Sequence, residues 1–384
     1  MANTFLPGSV IGILGGGSDA FSLVLQLKSL GYQVAVFSEI SDSPAIVMAD
    51  FRFTGKITDR NKLDTFAIIC DVIILENKFV NPFAAQYLSE HYYLPQGFNL
   101  LSLSQDNYLN SLFLDDLNLN TVPNATAVSY DDLVMQTESL GFPIILKPIQ
   151  KIPRKNYFVL NNQNDLQQMK QLMEKFSFFV EAKIDIQSEF AITVFKSQAN
   201  DLEINILPIV QTYYNRQFEL QATLTNCQSV SDRDLIEMRR IAKQIAQKEA
   251  FIGAISIQFY KAKNGMLYVK NVQEGLTKFG NIYRILIGKT QEELYLKASL
   301  GFSLPTIKAQ NHGVNLYFRQ SNLDDIYLQM QIKPDWDFYF YPNKWKNPID
   351  NAGYVSIENN SLSSIYEEVL NTDIWNLPEE LFKN

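Results

Sequence analysis

Few side chains in this sequence stand where they could do chemistry, and most of those that do favour anions. Gly15-Gly16-Gly17 follows the apolar run VIGIL (residues 10–14) and precedes a helical pattern. A glycine-rich strand-to-helix turn presents backbone N–H groups at the positive end of the helix dipole, where phosphate binds. The same triplet also suits a tight turn with no ligand, and Asp19 in the helix's first turn opposes a phosphate. Lys147 ends the apolar run PIILK (residues 143–147), which places an ammonium at the end of a buried strand. Lys151, Arg154 and Lys155 follow closely, either as an anion site or as a solvated loop. Other chemistries have little material. His91 and His312 are the only histidines, and Cys70 and Cys227 the only cysteines. That argues against histidine-based triads and structural zinc, and for a reducing compartment.

The elements that must position these groups read as a multi-domain α/β chain. With 384 residues and 46% apolar content, two or three domains are expected. Lys and Arg number 33 against 41 Asp and Glu, so the formal charge is −8 and the pI about 5.0. Such a chain repels phosphodiester backbones and is not expected to bind nucleic acid, although a local basic pocket is allowed. No run reaches the roughly 18 apolar residues of a membrane span, and residues 1–9 lack a basic leader region, so a soluble, cytoplasmic protein is expected.

Strands over residues 10–14, 33–37 and 71–75, with a helix over 19–30 closed by Gly31, predict a nucleotide-type βαβ domain ending near residue 100. A helix over 105–117 follows, then a strand at Ala127-Val128, a helix over 131–140 closed by Gly141, and the strand ending at Lys147. Strands over 157–160, 178–181 and 190–195 flank a helix at 165–175. Ser231, three residues before Asp234, opens the most regular helix, with Leu235, Met238, Ile241, Ala242 and Ile245 as its apolar stripe. Strands at 254–260 and 266–269 are joined by Asn264-Gly265, a hairpin signal. Short strands at 313–318, 337–341 and 353–357 predict a small β-rich C-terminal unit. The expected divisions are 1–100, 101–303 and 304–384.

In this order and spacing, IGILGGG (residues 11–17), LGYQVAVF (30–37), DVIILE (71–76), SQD (104–106), ILK (145–147), VEAKIDIQSEFAI (180–192), QFYKAKNGMLYVKN (258–271) and NAGYVSI (351–357) resemble the 5-(carboxyamino)imidazole ribonucleotide synthetase family of the ATP-grasp superfamily. The resemblance implies an ATP-grasp fold with a Rossmann-like N-terminal domain and a small β-rich C-terminal domain, assembled as a homodimer. It implies activation of bicarbonate by ATP and magnesium, and attack by the amine of aminoimidazole ribonucleotide, as purine biosynthesis requires.

Residue by residue, the resemblance makes Lys147 the phosphate-neutralising lysine. Glu181 closes the strand of the adenine hinge, and Glu189 is the ribose carboxylate. Gly16, Gly17 and Glu76 fall on the ribonucleotide side. The family's two metal-ligating carboxylates fall on Gln258 and Asn271, both neutral amides here, so no metal ligand is assigned. Glu274 is the nearest carboxylate and would need a three-residue register shift to replace Asn271. The family's glycine-rich phosphate loop reads PIQKIPRKNY (residues 148–157), without glycine, and Ser111 and Asn107 stand where a lysine and an arginine belong. Lys78 and Phe79 replace an acid and an amide. Tyr213-Tyr214 suit either a pocket wall or the core. Two outcomes stay open: an ATP-dependent carboxylase, or a non-catalytic paralogue that binds a nucleotide, another ligand or a protein partner.

Overall fold

The computed structural model describes residues 3–76, 80–151, 157–199, 203–225, 230–309, 311–342, 351–359 and 361–382. The chain opens with β1 (Val10–Leu14), α1 (Ser18–Ser29), β2 (Gln33–Ser38), α2 (Pro44–Met48), β3 (Phe51–Thr54), α3 (Arg60–Ala67), β4 (Val72–Leu75) and α4 (Pro82–His91). Their strands form a parallel sheet in the order β3-β2-β1-β4. Strands β1, β2 and β4 are largely apolar because both faces are covered, whereas the edge strand β3, FRFT, is mostly exposed. Ile11, Ile13, Val34 and Val36 pack with Leu23, Val24 and Leu27 of α1, while Leu14, Phe37 and Leu75 pack with Phe66 of α3. Each large side chain so buried is worth about 1.5–3 kcal/mol. Gly31 takes φ +84° just beyond α1, the left-handed conformation that ends the helix.

The helix expected over 105–117 is α6 (Asn107–Asp116), and a further helix, α5 (Asn99–Gln105), precedes it. Asp106 separates them. Its carboxylate accepts from Tyr108 N and Leu109 N at 2.8 and 2.9 Å, so it caps α6 with an extended backbone.

A small antiparallel sheet follows, built from β5 (Asn124–Ala127), β6 (Ile144–Pro148), β7 (Phe158–Leu160) and β8 (Phe178–Ala182) in the order β5-β8-β6-β7. Helices α7 (Tyr130–Leu140) and α8 (Gln163–Met173) cover one face through Leu133, Leu166 and Met169. The opposite face carries Lys147, Phe179 and Glu181.

The large sheet has nine strands. Eight run in the order β14-β13-β9-β11-β12-β15-β17-β16, and β10 (Glu203–Ile206) pairs with β9 alone. Here β9 is Ile186–Ser197, β11 Val210–Tyr214, β12 Leu220–Leu224, β13 Gly253–Ala262 and β14 Leu267–Glu274. Helix α9 (Asp232–Lys248) starts on Ser231 as the sequence predicts, with Ser231 Oγ accepting from Asp234 N at 3.2 Å. Its stripe of Met238, Ile241 and Ile245 packs on Ile192, Ile255 and Ile257. The β13–β14 turn holds Gly265 at φ +85°, and Met266 N donates to Asn264 Oδ1 at 3.0 Å.

After α10 (Tyr283–Ile287) and α11 (Gln291–Ser299), the C-terminal unit is less exclusively β than its pattern suggests. It holds β15 (Gly313–Arg319), α12 (Leu323–Ile332), β16 (Asp337–Phe340), β17 (Asn351–Glu358) and α13 (Leu362–Leu370), and its strands extend the same large sheet through β12–β15 pairing. Among the described residues no helix is long and apolar enough to cross a membrane.

Candidate functional site

A cavity of about 380 Å³ opens between the small sheet and the large one. From the small sheet, Lys147 pairs with Phe179 in the β6–β8 register, and Glu181 lies two residues on along the same face. Diagonal neighbours on one sheet face are within reach of long side chains, and Lys147 Nζ stands 2.5 Å from Glu181 Oε2. Both side chains are nearly inaccessible, at 10% and 7% exposure. Burial alone pushes an ammonium pKa down, but the Glu181 carboxylate and the nearby Tyr260 and Tyr157 oxygens pull that of Lys147 up by more, so it stays charged.

The large sheet answers with a second pair. Gln258 of β13 is opposite Asn271 of β14, yet Phe259 is opposite Val269. Lys270 is therefore the extra residue of a β-bulge, and a bulge re-aims the side chain it inserts. The Lys270 ammonium reaches Glu189 Oε2 of β9 at 2.8 Å and lies 4.4 and 4.9 Å from the ring centres of Tyr214 and Tyr260. Burial lowers its pKa while Glu189 and the two tyrosine oxygens raise it, and the balance is well above the ordinary value. Burial likewise pushes the Tyr214 phenol up to about 12, against the pull of Lys270. Tyr214 Oη in turn accepts from Gln258 Nε2 at 2.6 Å.

The walls carry Lys147, Lys151, Lys270 and Lys278. Among the described lining residues Glu181 is the only carboxylate, with Glu189 behind Lys270. Lys147 and Lys270 thus face the same space from opposite sheets, in a chain whose formal charge is −8. Such a cleft concentrates anions.

Two family models match the chain: the ribonucleotide synthetase preATP-grasp domain over residues 9–105 and the ATP-grasp domain over residues 112–274. An N5-carboxyaminoimidazole ribonucleotide synthase of Staphylococcus aureus is 24% identical over 364 residues, covering 94% of this chain and 96% of its own. The chain belongs to the N5-carboxyaminoimidazole ribonucleotide synthase family of ATP-grasp proteins. Solved structures share its fold. An N5-carboxyaminoimidazole ribonucleotide synthetase bound to ADP superposes with a TM-score of 0.92 at 20% identity, covering 98% of this chain and 99% of that one. The S. aureus protein with ADP gives 0.87 at 24% identity, covering 96% and 98%. The Aspergillus clavatus protein with ADP and 5-aminoimidazole ribonucleotide gives 0.86 at 18% identity, covering 95% and 98%.

Within this family fold the predicted site residues fall in two places. Lys147, Glu181, Gln258 and Asn271 line the cavity, and Glu189 joins it through Lys270. Gly16, Gly17 and Glu76 do not line it. They stand beyond the carboxyl ends of β1 and β4, which are adjacent and parallel with Leu14 opposite Leu75. Sheet order reverses between these strands, and that switch point is where ligands of open α/β sheets bind. The two glycines differ there. A Cβ on Gly16 would stand 2.3 Å from Ser43 Oγ and 2.4 Å from Ser38 Oγ, so close packing requires glycine. A Cβ on Gly17 would meet nothing within 4 Å. Segment 277–279 borders the cavity: Lys278 lines it, and its Nζ lies 5.5 Å from the ring centre of Tyr341.

Ser111 and Asn107 do line the cavity, held by bonds to Asn124 Oδ1 at 3.0 Å and Pro148 O at 2.8 Å. Lys151 lines it too, while Arg154, Lys155, Lys78, Phe79 and Cys227 lie outside the described residues. Tyr213-Tyr214 divide, as neighbours on a strand must: Tyr214 faces the cavity and Tyr213 packs on the C-terminal core. Glu274 is opposite Ile255 with no slip in register, and its carboxylate accepts from Gln96 Nε2 at 3.1 Å, away from the cavity. Lys270 is the residue that sequence reasoning missed.

Magnesium, which the fold family implies, does not fit the donors present. Gln258 and Asn271 are neutral, Glu181 and Glu189 are each held by a lysine, and magnesium favours carboxylates and phosphates in octahedral array. Beside the Lys270 ammonium a cation meets about 4 kcal/mol of repulsion per unit charge at 4 Å and an effective dielectric of about 20. Among the described residues no three His, Cys, Asp or Glu side chains group to hold a metal.

Proposed function

We propose that this chain binds ATP in the lysine-lined cavity and uses it to carboxylate 5-aminoimidazole ribonucleotide. ATP, bicarbonate and the amine would give ADP, phosphate and the carbamate. The observation that carries this reading is the pair of fixed ammonium groups, Lys147 and Lys270, that face one cavity from opposite sheets of an otherwise acidic chain. Lys147 is the phosphate-facing ammonium, held ready by Glu181. The adenine end is assigned to the strand of Glu181. Glu189 is assigned to the ribose end, where it also anchors Lys270. The ribonucleotide is assigned to the switch point at Gly17 and Glu76, with Gly16 keeping the turn tight against Ser38 and Ser43. Water exclusion and fixed charge, rather than covalent chemistry, are what the protein supplies to phosphoryl transfer.

The test is ADP release by the purified chain with ATP, bicarbonate and aminoimidazole ribonucleotide, omitting each in turn. Release that requires all three, and falls on Lys147→Ala, supports the reading. ADP release that ignores the ribonucleotide overturns it. A second reading, nucleotide binding without turnover, is favoured by the neutral amide pair Gln258 and Asn271. It is distinguished by ATP binding in calorimetry with no ADP formed.

A further inference from the structure

The cavity contains a cation of its own. Lys270 is delivered by the β-bulge opposite Gln258 and Phe259, and its ammonium is fixed from three sides by Glu189, Tyr214 and Tyr260. An ammonium has three N–H donors. One is spent on Glu189, and tyrosine ring faces hold a cation without accepting as an oxygen does. Donors therefore remain for oxygens of a ligand. The flanking side chains, Gln258 and Asn271, add no negative charge. Gln258 Nε2 is already committed to Tyr214, and Asn271 Oδ1 is buried with no partner, an acceptor suited to a ligand hydroxyl or a water. Lys147 supplies a second fixed ammonium from the facing wall.

We propose that Lys270 serves as the resident counter-ion of this cavity, so that a nucleoside polyphosphate binds without a divalent cation. The proposal rests on the nucleotide reading above. A buried cation held by the fold needs no recruitment from solution, and it occupies the region that a divalent ion beside Gln258 and Asn271 would need. Lys270 and Lys147, approaching from opposite sheets, would together neutralise the phosphate chain. Chelation of magnesium should then leave binding intact, whereas removal of Lys270 should not.

The experiment is calorimetric titration of the full chain with ATP, once in EDTA and once in excess magnesium, repeated on Lys270→Gln. The expected result is affinities in the two buffers within about threefold of each other. Lys270→Gln should weaken binding in EDTA roughly ten- to a hundredfold, the worth of a charge-assisted hydrogen bond. Because Lys270→Gln strands Glu189, the double variant Lys270→Gln/Glu189→Gln, which leaves no buried charge alone, is titrated beside it and should show the same loss. Thermal melts establish that both are folded. Binding that requires magnesium overturns the proposal and leaves the nucleotide reading standing. Binding in EDTA that survives both folded variants unchanged overturns the role of Lys270. No binding of ATP in either buffer overturns the nucleotide reading and this proposal with it.

Discussion

The two walls of the cavity solve one problem differently. Each buries a lysine against a glutamate and presents the ammonium to the same space. The small sheet does so with a strand end: β6 runs apolar to Lys147, and Glu181 sits diagonally across on β8. The large sheet does so with an irregularity, as Lys270 leaves β14 through a bulge, crosses β13 above Tyr260 and meets Glu189 on β9. The first arrangement needs two adjacent strands, the second needs three and a defect in register. Charge can thus be placed by where a strand stops or by where its pairing slips, and only the first leaves a mark in the sequence.

The largest expected effect is on the tighter wall. Glu181→Leu leaves Lys147 buried without its carboxylate and should cost about 3–5 kcal/mol in urea unfolding. Lys147→Met/Glu181→Leu, which removes both charges, should recover most of that loss. A single variant as stable as the parent would show that the pair does not hold this wall. Glu189→Leu should cost less, about 2–3 kcal/mol, because the Lys270 and Glu189 side chains are 15% and 17% exposed against 10% and 7% for the other pair. Two tyrosine rings also continue to hold the ammonium. A larger loss at Glu189 than at Glu181 would reverse the ranking of the walls.

A third carboxylate sharpens the comparison because it faces a carboxylate instead of a lysine. Glu292, at the start of α11, has its pKa pushed up to about 7, chiefly by burial and further by Asp19. The folded state therefore holds a proton that the unfolded state releases near pH 4.3. Stability from this group should fall as pH rises from about 4.3 to about 7, and level off above. Glu292→Gln should flatten that slope and stabilise the protein above pH 7 by about 1–2 kcal/mol, a figure kept low because the side chain is partly exposed. Unfolding midpoints measured across that window check the sign. A slope that persists in the variant would assign it elsewhere.

Much of this fold is legible in the sequence, for reasons the residues make plain. VIGIL, QVAVF and VIIL are buried on both faces and have no polar residue within the apolar run, so each reads as a buried parallel strand. Ser231, Gly31, Gly141 and Asn264-Gly265 announce their caps and turn through chemistry confined to a few neighbours. Asp106 was the opposite case: its side chain can cap or extend a helix pattern, and the pairing of Asp106 with Gln150 decides for a break. Of the site, Lys147 is legible because it ends an apolar run. Lys270 is not, because LYVKN alternates as any half-buried strand does and a bulge depends on the partner strand. The joining of the C-terminal strands to the large sheet depends likewise on β12 meeting β15, a contact between residues about ninety positions apart.

The smallest effect tests the floor between the walls. Gln258 and Asn271 are opposite one another, but only one has its hydrogen bonding accounted for. Gln258 donates to Tyr214 Oη, whereas Asn271 Oδ1 is buried with no partner. Replacing a satisfied polar group strands what it bonded, so Gln258→Leu should cost about 1–2 kcal/mol. Replacing an unsatisfied one removes a desolvation cost already incurred, so Asn271→Leu should be neutral or stabilise by up to about 1 kcal/mol. Both changes introduce a leucine on the same face of one strand pair, so their difference reports chiefly hydrogen-bond satisfaction. If Asn271→Leu instead costs as much as Gln258→Leu, then Asn271 is satisfied in solution, by water or by a ligand carried through purification. Repeating the comparison with saturating ATP separates these. A ligand hydroxyl taken up by Asn271 would make Asn271→Leu costly only when the nucleotide is bound.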